Sequence, residues 1–310
     1  SESDILELLG SGKYKQSKLL ILGGGSNILL TDDFEGLVLK IDINFTDKID
    51  ENDNHVWIRV GSGVIWHDFV MSCLEKDYGG VENLSLIPGT MGAAPMQNIG
   101  AYGVELKEVF VELTAIDRET LQIEKFNKER CEFGYRESIF KKEAKDKYII
   151  TSVTLRLNKK PDTNIEYEAI ESMLTELGIT YPTIRDVSNV VIKIRQSKLP
   201  EPSQLGNAGS FFKNPIVDKI DYEYLSSDFP NIPGYKLEND KVKIPAAWLI
   251  DQCGWKGKRL GDVGVHKDHA LVVVNHGNGS GKEVKHLAME IKNSVISKFG
   301  IELTSEVNII

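Results

Sequence analysis

Apolar and polar positions follow two different rhythms along this chain. Leu19–Leu22 is a short apolar run that meets three glycines at 23–25, and Leu37–Lys40 is a second such run. Bounded by turn residues, both predict buried strands, with a helical pattern before them. The polar run at 46–54 predicts a junction between domains. Residues 56–60 predict a strand, and Trp66, Phe69, Val70, Cys73 and Leu74 then share one face of a helix that stops before Gly79 and Gly80. Strand patterns return at 109–116 and 148–157. After Pro161 come two helical stripes, one through Ile170 and Leu174, the other through Val187, Val191 and Ile194. Pro200 and Pro202 break the second helix and predict a further boundary near Lys198. Ser280 and Glu283 form the signature of a capping box, opening a long helix that Gly300 closes. The tail predicts a strand, and the mixture predicts an α+β fold.

One stretch has no period at all. Residues 86–103 are rich in Gly, Ala and Pro, and a loop this long is uncommon unless it is functional. Small residues let backbone approach a large cofactor closely. Two other glycine patterns mislead. Gly23-x-Gly25 follows a strand, but Ile28 stands where the third glycine of a dinucleotide fingerprint belongs, and 31–36 reads as a turn rather than a helix. The turn can still present backbone N–H groups to an anion. Residues 277–282 resemble a phosphate loop only superficially, because His276 and Glu283 occupy positions that need Gly and Ser or Thr.

With 310 residues, 41% hydrophobic and 27% charged, the chain has room for two or three well-filled domains. A net charge of −9 offers no basic surface for a phosphate backbone, so no nucleic-acid partner is expected. Cys73, Cys131 and Cys253 are odd in number and form no C-x-x-C pair, which predicts neither a disulfide framework nor a zinc site. His266 and His269 read as a surface pair. No stretch approaches the ~18 apolar residues of a membrane span, so no membrane partner and a cytoplasmic home are expected. Residue 1 is Ser and opens directly on a helical pattern, so the chain is expected to begin late. Taken singly, Arg136 reads as a salt-bridge partner, Ser210 as a turn residue and Glu306 as unremarkable. No histidine stands beside Ser210, so a hydrolase nucleophile is unsupported.

Four separated stretches carry a resemblance. Leu22-Gly-Gly-Gly-Ser-Asn-Ile-Leu29, Ile87-Pro-Gly-Thr-Met-Gly-Ala-Ala-Pro-Met-Gln-Asn-Ile-Gly-Ala-Tyr-Gly103, Gly134-Tyr-Arg-Glu-Ser-Ile-Phe-Lys141 and Gly206-Asn-Ala-Gly-Ser-Phe-Phe-Lys-Asn-Pro215 are similar to motifs of the UDP-N-acetylenolpyruvoylglucosamine reductase family. The segment 161–181, which holds Tyr167, resembles the insert of the family's longer form. The resemblance implies three domains with an FAD-binding unit of the vanillyl-alcohol-oxidase kind. Residues 1–50 and 51–197 would be the two FAD-binding subdomains, with a C-terminal strand at 303–310 returning to the second. Residues 198–302 would bind substrate.

The resemblance also implies FAD as cofactor. Gly23, Gly24, Gly25, Ser26 and Asn27 would lie at its pyrophosphate. Pro88, Gly89, Thr90, Gly92, Ala93, Gln97, Asn98, Gly100, Ala101, Tyr102 and Gly103 would lie along the flavin. Arg136 and Glu306 match the family's catalytic arginine and glutamate, and Ser210 its proton donor. Tyr167, Lys198, Asn214, Lys243 and Gln252 match positions that hold the nucleotide sugar. Two departures stand out: the family's Asn-Thr-Phe-like start is absent, and Asn308 stands where arginine is frequent.

On this resemblance, NADPH is the co-substrate and the enolpyruvyl group of UDP-N-acetylglucosamine-enolpyruvate is reduced to give UDP-N-acetylmuramate for peptidoglycan. Arg136 would meet the substrate carboxylate with a planar charged fork, and Glu306 in its protonated form would share the developing charge. Ser210 would protonate the carbanionic carbon. Lys198 and Lys243 would answer the diphosphate and uridine, and the protein is expected to be a monomer. Two rivals remain. A flavin oxidase of the same fold acting on an alcohol would consume oxygen without any enolpyruvyl sugar. An inactive nucleotide-sugar binding module would hold the sugar without oxidising NADPH.

Overall fold

A computed structural model describes residues 1–310. The chain divides into two units, Ser1–Gly25 with Glu35–Arg195, and Ser26–Phe34 with Gln196–Ile310. The first is built on a five-stranded sheet in the order Thr46–Glu51, His55–Gly61, Tyr148–Asn158, Phe110–Asp117, Ile123–Asn127. Every neighbouring pair is antiparallel. Val56, Ile58 and Val60 alternate inward and join Leu113, Val153 and Leu155 in a core that also takes in Trp66, Phe69 and Val70 of the helix Trp66–Glu75. A smaller cluster combines Ile116 and Ile149 with Ile5 of the helix Glu2–Gly10. The central strand Tyr148–Asn158 is therefore buried at nearly every position.

The polar run at 46–54 is not a domain junction. Thr46–Glu51 is an edge strand, exposed throughout and paired to His55–Gly61 as a hairpin. With no buried face it carries no hydrophobic period, which is why it reads as a linker. Leu19–Leu22 and Leu37–Lys40 form a parallel pair with no helix between them. Such a connection is not a Rossmann unit. The helices Glu168–Glu176 and Ile184–Lys198 close a cluster of Ile170, Leu174, Val187, Val190, Val191 and Ile194.

The second unit holds a four-stranded sheet, Gly206–Ser210, Val272–Asn275, Val263–Val265, Arg259–Leu260, and a three-stranded one, Ile216–Asp218, Lys241–Lys243, Tyr235–Lys236. The helix Gly281–Phe299 opens on the Ser280/Glu283 capping box and ends at Gly300, whose φ is +67°. Its inward residues Leu287, Ile291 and Val295 share a core with Phe211, Phe212, Ile250 and Leu303. The glycine-rich turn before it is folded by Asn275, whose Oδ1 accepts the N–H groups of Gly277 and Gly279 at 3.0 and 3.1 Å. Lys282 pairs with Asp32 on the surface.

The tail departs from the expected strand over 303–310. Only Asn308–Ile309 is regular strand, and it pairs in parallel with Ile28–Leu29 of the same unit rather than with the 51–197 lobe. Ser305 bridges Phe212, and Leu303 and Val307 are buried in the second unit's core, which keeps the tail there. No helix is long and apolar enough to cross a membrane.

Candidate active site

In the first unit the glycine turn lies directly on the start of the 86–103 loop. A Cβ on Gly23 would come within 2.6 Å of Thr90 Oγ1, and one on Gly24 within 3.1 Å of Gly89 Cα. The two backbones touch, and that spacing requires glycine. The loop is anchored by Gly89 O, which accepts from Trp66 N–H at 3.0 Å, and by Met91 N–H and Gly92 N–H, which donate to Val64 O and Ser62 O at 2.8 and 2.9 Å. The buried hydroxyls of Ser62 and Thr90 find no hydrogen-bond partner within the protein. Leaving such a group unpaired costs about 1–3 kcal/mol, so a polar ligand atom there is favoured. A close-approach glycine cradle beside orphaned hydroxyls fits a flat cofactor that carries phosphate oxygens.

The far end of the loop is knitted to the 134–141 motif. Asn98 is buried in the left-handed region, with φ +43°. Its Nδ2 donates to Glu105 Oε2 and Gly134 O, each at 3.0 Å, and its Oδ1 accepts from Lys107 N–H at 3.0 Å. That side chain therefore holds the loop together. Ser138 Oγ donates to Met96 O at 2.7 Å, and Arg136 Nη2 donates to the Gly100 carbonyl. Gly100–Ala101 and Val104–Glu105 form a hairpin whose two-residue turn, Tyr102 and Gly103, has φ values of +49° and +84°, as a tight turn of this kind demands. The Tyr102 ring meets Tyr167 edge-on at 5.2 Å. Asn83 Nδ2 ties both neighbourhoods together by donating to Tyr102 O at 3.0 Å and Asn164 O at 2.9 Å.

The sequence reading missed Arg195. Its Nε donates to Leu86 O at 3.2 Å, and its guanidinium lies close enough to Tyr102 and Arg136 to feel both. Burial holds it below the usual arginine range, with Tyr102 opposing that shift. Burial likewise pushes the Tyr102 phenol up, with Arg195 opposing. The available signal was position: Arg195 lies four residues after Val191 and eight after Val187, on the buried face of its helix. Cys73 and Cys131 offer no thiolate, since burial pushes both up to about 12.

In the second unit, Ser210 ends its strand after Gly209, whose φ is +72°, and the pairing register shifts between Asn207 and Ser210. Such a bulge re-aims side chains. Asn207 fixes it, accepting from Gly209 N–H at 2.9 Å and donating to Pro200 O and Leu205 O at 3.1 and 2.8 Å. Glu306 N–H donates to Phe211 O at 2.8 Å, which brings the backbone of Glu306 beside that of Ser210. Asn27 joins them, its Nδ2 donating to Glu306 O at 3.3 Å. Asn308, in the position where arginine is frequent, donates through Nδ2 to Asn27 O at 3.0 Å.

Among the nucleotide-sugar candidates of this unit, Asn214 Oδ1 accepts Ala246 N–H at 2.9 Å at the start of the helix Ala246–Gln252. Gln252 ends that helix, Lys243 ends the strand Lys241–Lys243, and Lys198 ends its own helix, exposed. His269 does not belong to a surface pair. It is half-buried, its Nδ1 has no partner, and burial together with Lys198 and His266 holds its imidazole below the usual range.

The glycine cradle and its fold define an FAD-binding α+β protein, and the FAD binding domain family matches residues 1–123. The family of the UDP-N-acetylenolpyruvoylglucosamine reductase C-terminal domain matches residues 201–310. The chain is 51% identical to the UDP-N-acetylenolpyruvoylglucosamine reductase of Amoebophilus asiaticus over 310 residues, all of this chain and 91% of that protein. It is 50% identical to the reductase of the same name from Flavobacterium johnsoniae over 297 residues, 96% of this chain and 88% of that one. The crystal structure of UDP-N-acetylenolpyruvylglucosamine reductase (MurB) from Thermus caldophilus shares the fold, with a TM-score of 0.65 at 21% identity, covering 100% of this chain and 89% of that one. The chain belongs to the UDP-N-acetylenolpyruvoylglucosamine reductase family.

Proposed function

We infer that this chain is an NADPH-dependent, FAD-containing reductase that converts UDP-N-acetylglucosamine-enolpyruvate to UDP-N-acetylmuramate for peptidoglycan. The observation that carries this reading is 51% identity to a UDP-N-acetylenolpyruvoylglucosamine reductase across all 310 residues. An alcohol oxidase of the same fold would leave Arg136, Ser210 and Glu306 without a task.

In this reading Gly23 and Gly24, packed on Gly89 and Thr90, admit the cofactor, and the Ser62 and Thr90 hydroxyls receive its polar atoms. Bound FAD supplies two-electron transfer between NADPH and the substrate double bond. Arg136, steadied by the Gly100 carbonyl, offers its planar fork to the substrate carboxylate. As the double bond is reduced, negative charge builds on the carbon next to that carboxylate. A preorganised donor of this kind supplies about 3–4 kcal/mol. Ser210 hands a proton to that carbon, and protonated Glu306 shares the charge. Tyr167, Lys198, Asn214, Lys243 and Gln252 hold the nucleotide sugar, with the two lysines at the diphosphate and uridine. The unit of Ser1–Gly25 with Glu35–Arg195 serves the cofactor, undivided at 50/51 because Thr46–Glu51 pairs with His55–Gly61, and residues 198–302 serve as the substrate domain of a cytoplasmic monomer.

Anaerobic stopped-flow tests the reading. NADPH should bleach the yellow protein, and the enolpyruvyl sugar should restore its colour. Ser210→Ala should leave the bleaching nearly normal and slow the recovery by roughly 10²–10⁴-fold. Equal slowing of both phases would remove Ser210 from the proton-donor role. A protein that holds no flavin, or that recovers its colour only with oxygen, would overturn the reductase reading.

A further inference from the structure

Leu86 begins the 86–103 loop with φ +57°, a left-handed backbone at a residue that is not glycine. Two side chains grip its backbone from opposite sides. Leu86 N–H donates to His67 Nδ1 at 3.0 Å, and Leu86 O accepts from Arg195 Nε at 3.2 Å. Arg195 in turn lies beside the Tyr102 phenol, near the other end of the same loop, and each influences the other's titration. A line of contacts therefore runs from His67 through Leu86 and Arg195 to Tyr102, and Tyr102 touches Tyr167.

An amide N–H can only donate, so His67 Nδ1 must accept. The ring is then neutral, with its proton on Nε2. Two neighbouring anchors do not titrate: Trp66 Nε1 donates to Leu84 O at 2.9 Å, and Ser85 and Ser188 share a buried bond of 2.7 Å. Glu82, four residues before Leu86, is also titratable, its carboxyl pushed up by burial while it accepts Gly80 N–H at 2.6 Å, but of the two only His67 bonds Leu86 itself.

We propose that His67 is a positioning residue whose neutral Nδ1 locks Leu86 in its left-handed turn and so sets Arg195 against Tyr102, and that protonation of the ring releases this end of the loop. The consequence for turnover rests on the reductase reading, whereas the hydrogen-bond arrangement does not. The surroundings act in the required sense. Burial is the strongest influence against a charged ring; Arg195, from the helix Ile184–Lys198, also opposes charge, while Asp68 on His67's own helix favours it. The folded imidazole thus titrates below the ordinary 6.5. Below that ordinary value the unfolded chain takes up the proton first. The stabilisation from His67 is therefore complete above it and is lost as pH falls through the lower folded value.

Nitrogen NMR of the histidine-labelled holoprotein, with His67→Asn to assign the signal, reads the ring directly. The expected signature is a neutral Nε2–H tautomer that titrates below an ordinary exposed imidazole. Asparagine Oδ1 can replace Nδ1 as an acceptor without titrating. His67→Asn should therefore keep NADPH turnover close to the parent's at neutral pH and lose the acid limb of the kcat profile assigned to His67. His67→Leu, which has no acceptor, should turn over roughly two- to tenfold more slowly at neutral pH, about the worth of one hydrogen bond. An Nδ1–H tautomer, or an acid limb that survives unchanged in His67→Asn, would overturn the proposal. A parent protein that never oxidises NADPH would instead strike the reductase reading, and the tautomer would still decide the arrangement around Leu86.

Discussion

Gly23→Ala tests whether the glycine turn rests on the 86–103 loop as described. The added methyl would lie 2.6 Å from Thr90 Oγ1, while the next nearest atoms, Ala93 Cβ at 3.7 Å and Thr90 Cβ at 3.9 Å, are at ordinary contact distance. The whole overlap comes from one hydroxyl oxygen. Overpacking of this sort costs about 1–3 kcal/mol. Thr90→Ala removes that oxygen together with an unpaired buried hydroxyl. In flavin-free protein, Thr90→Ala should be neutral or stabilising by up to ~1 kcal/mol. The double variant should then come within ~0.5 kcal/mol of Thr90→Ala alone, a coupling of about 1 kcal/mol or more. Urea unfolding of the four proteins, stripped of flavin, measures the cycle. Gly10→Ala is the control, because its nearest atom would be Leu121 Cδ1 at 3.6 Å. It should leave stability unchanged or slightly raised. The cofactor enters through a second measurement. If the Thr90 hydroxyl meets FAD, Thr90→Ala should weaken FAD binding roughly two- to tenfold in a fluorescence titration. Free energies that add within ~0.3 kcal/mol would show that Gly23 and Thr90 do not meet, and the cradle would have to be drawn elsewhere.

Asn98→Ala should cost about 2–4 kcal/mol, since three hydrogen bonds of a buried side chain disappear at once and alanine suits the left-handed backbone poorly; a loss below ~1 kcal/mol in urea unfolding would contradict the knitting role. His269 is held neutral chiefly by burial, so its folded imidazole binds a proton less readily than the unfolded one. Its contribution is intact above the ordinary 6.5 and is lost as pH falls through the lower folded value, with a slope of at most about 1.4 kcal/mol per pH unit. His269→Gln should flatten the acid side of the stability curve, and an unchanged curve would remove His269 as its source.

Much of the scaffold was legible because burial on one side imprints a period. Val56, Ile58 and Val60 announced a strand, and Trp66, Phe69, Val70 and Cys73 a helix, because each set meets the same core. The failures have two physical causes. Thr46–Glu51 has no buried position, so it left no alternation to read. The tail showed its apolar residues, but nothing in Leu303 or Val307 says which core receives them. The site was less legible still. Arg136, Ser210 and Glu306 stood out only through the motifs around them, since a lone arginine, serine or glutamate carries no period. Arg195 had a positional signal, a charge on an apolar helix face. Its partners, the Leu86 carbonyl and Tyr102, are far away in sequence and emerge only from the fold.

The aperiodic loop and the arginine motif share a further property that explains why pattern reading stops there. Leu86, Asn98, Tyr102 and Arg136 have φ values of +57°, +43°, +49° and +52°, and none is glycine. Each such residue costs roughly 1–2 kcal/mol, so four together cost an amount comparable to the ~5–15 kcal/mol net stability of a typical domain. They persist because each is restrained by contacts from outside its own stretch or by its turn. His67 and Arg195 grip Leu86, Asn98 is bound on three sides, Tyr102 occupies a turn that needs positive φ, and Arg136 is bonded to Gly100. Local preference is overruled here by tertiary bonding, and local preference is all that a period can report. The same bonding fixes the loop and its arginine before any ligand arrives. In the proposed reductase, where the site would hold a flat cofactor and Arg136 would meet charge as it develops, this preorganisation is where the strain would be repaid in function.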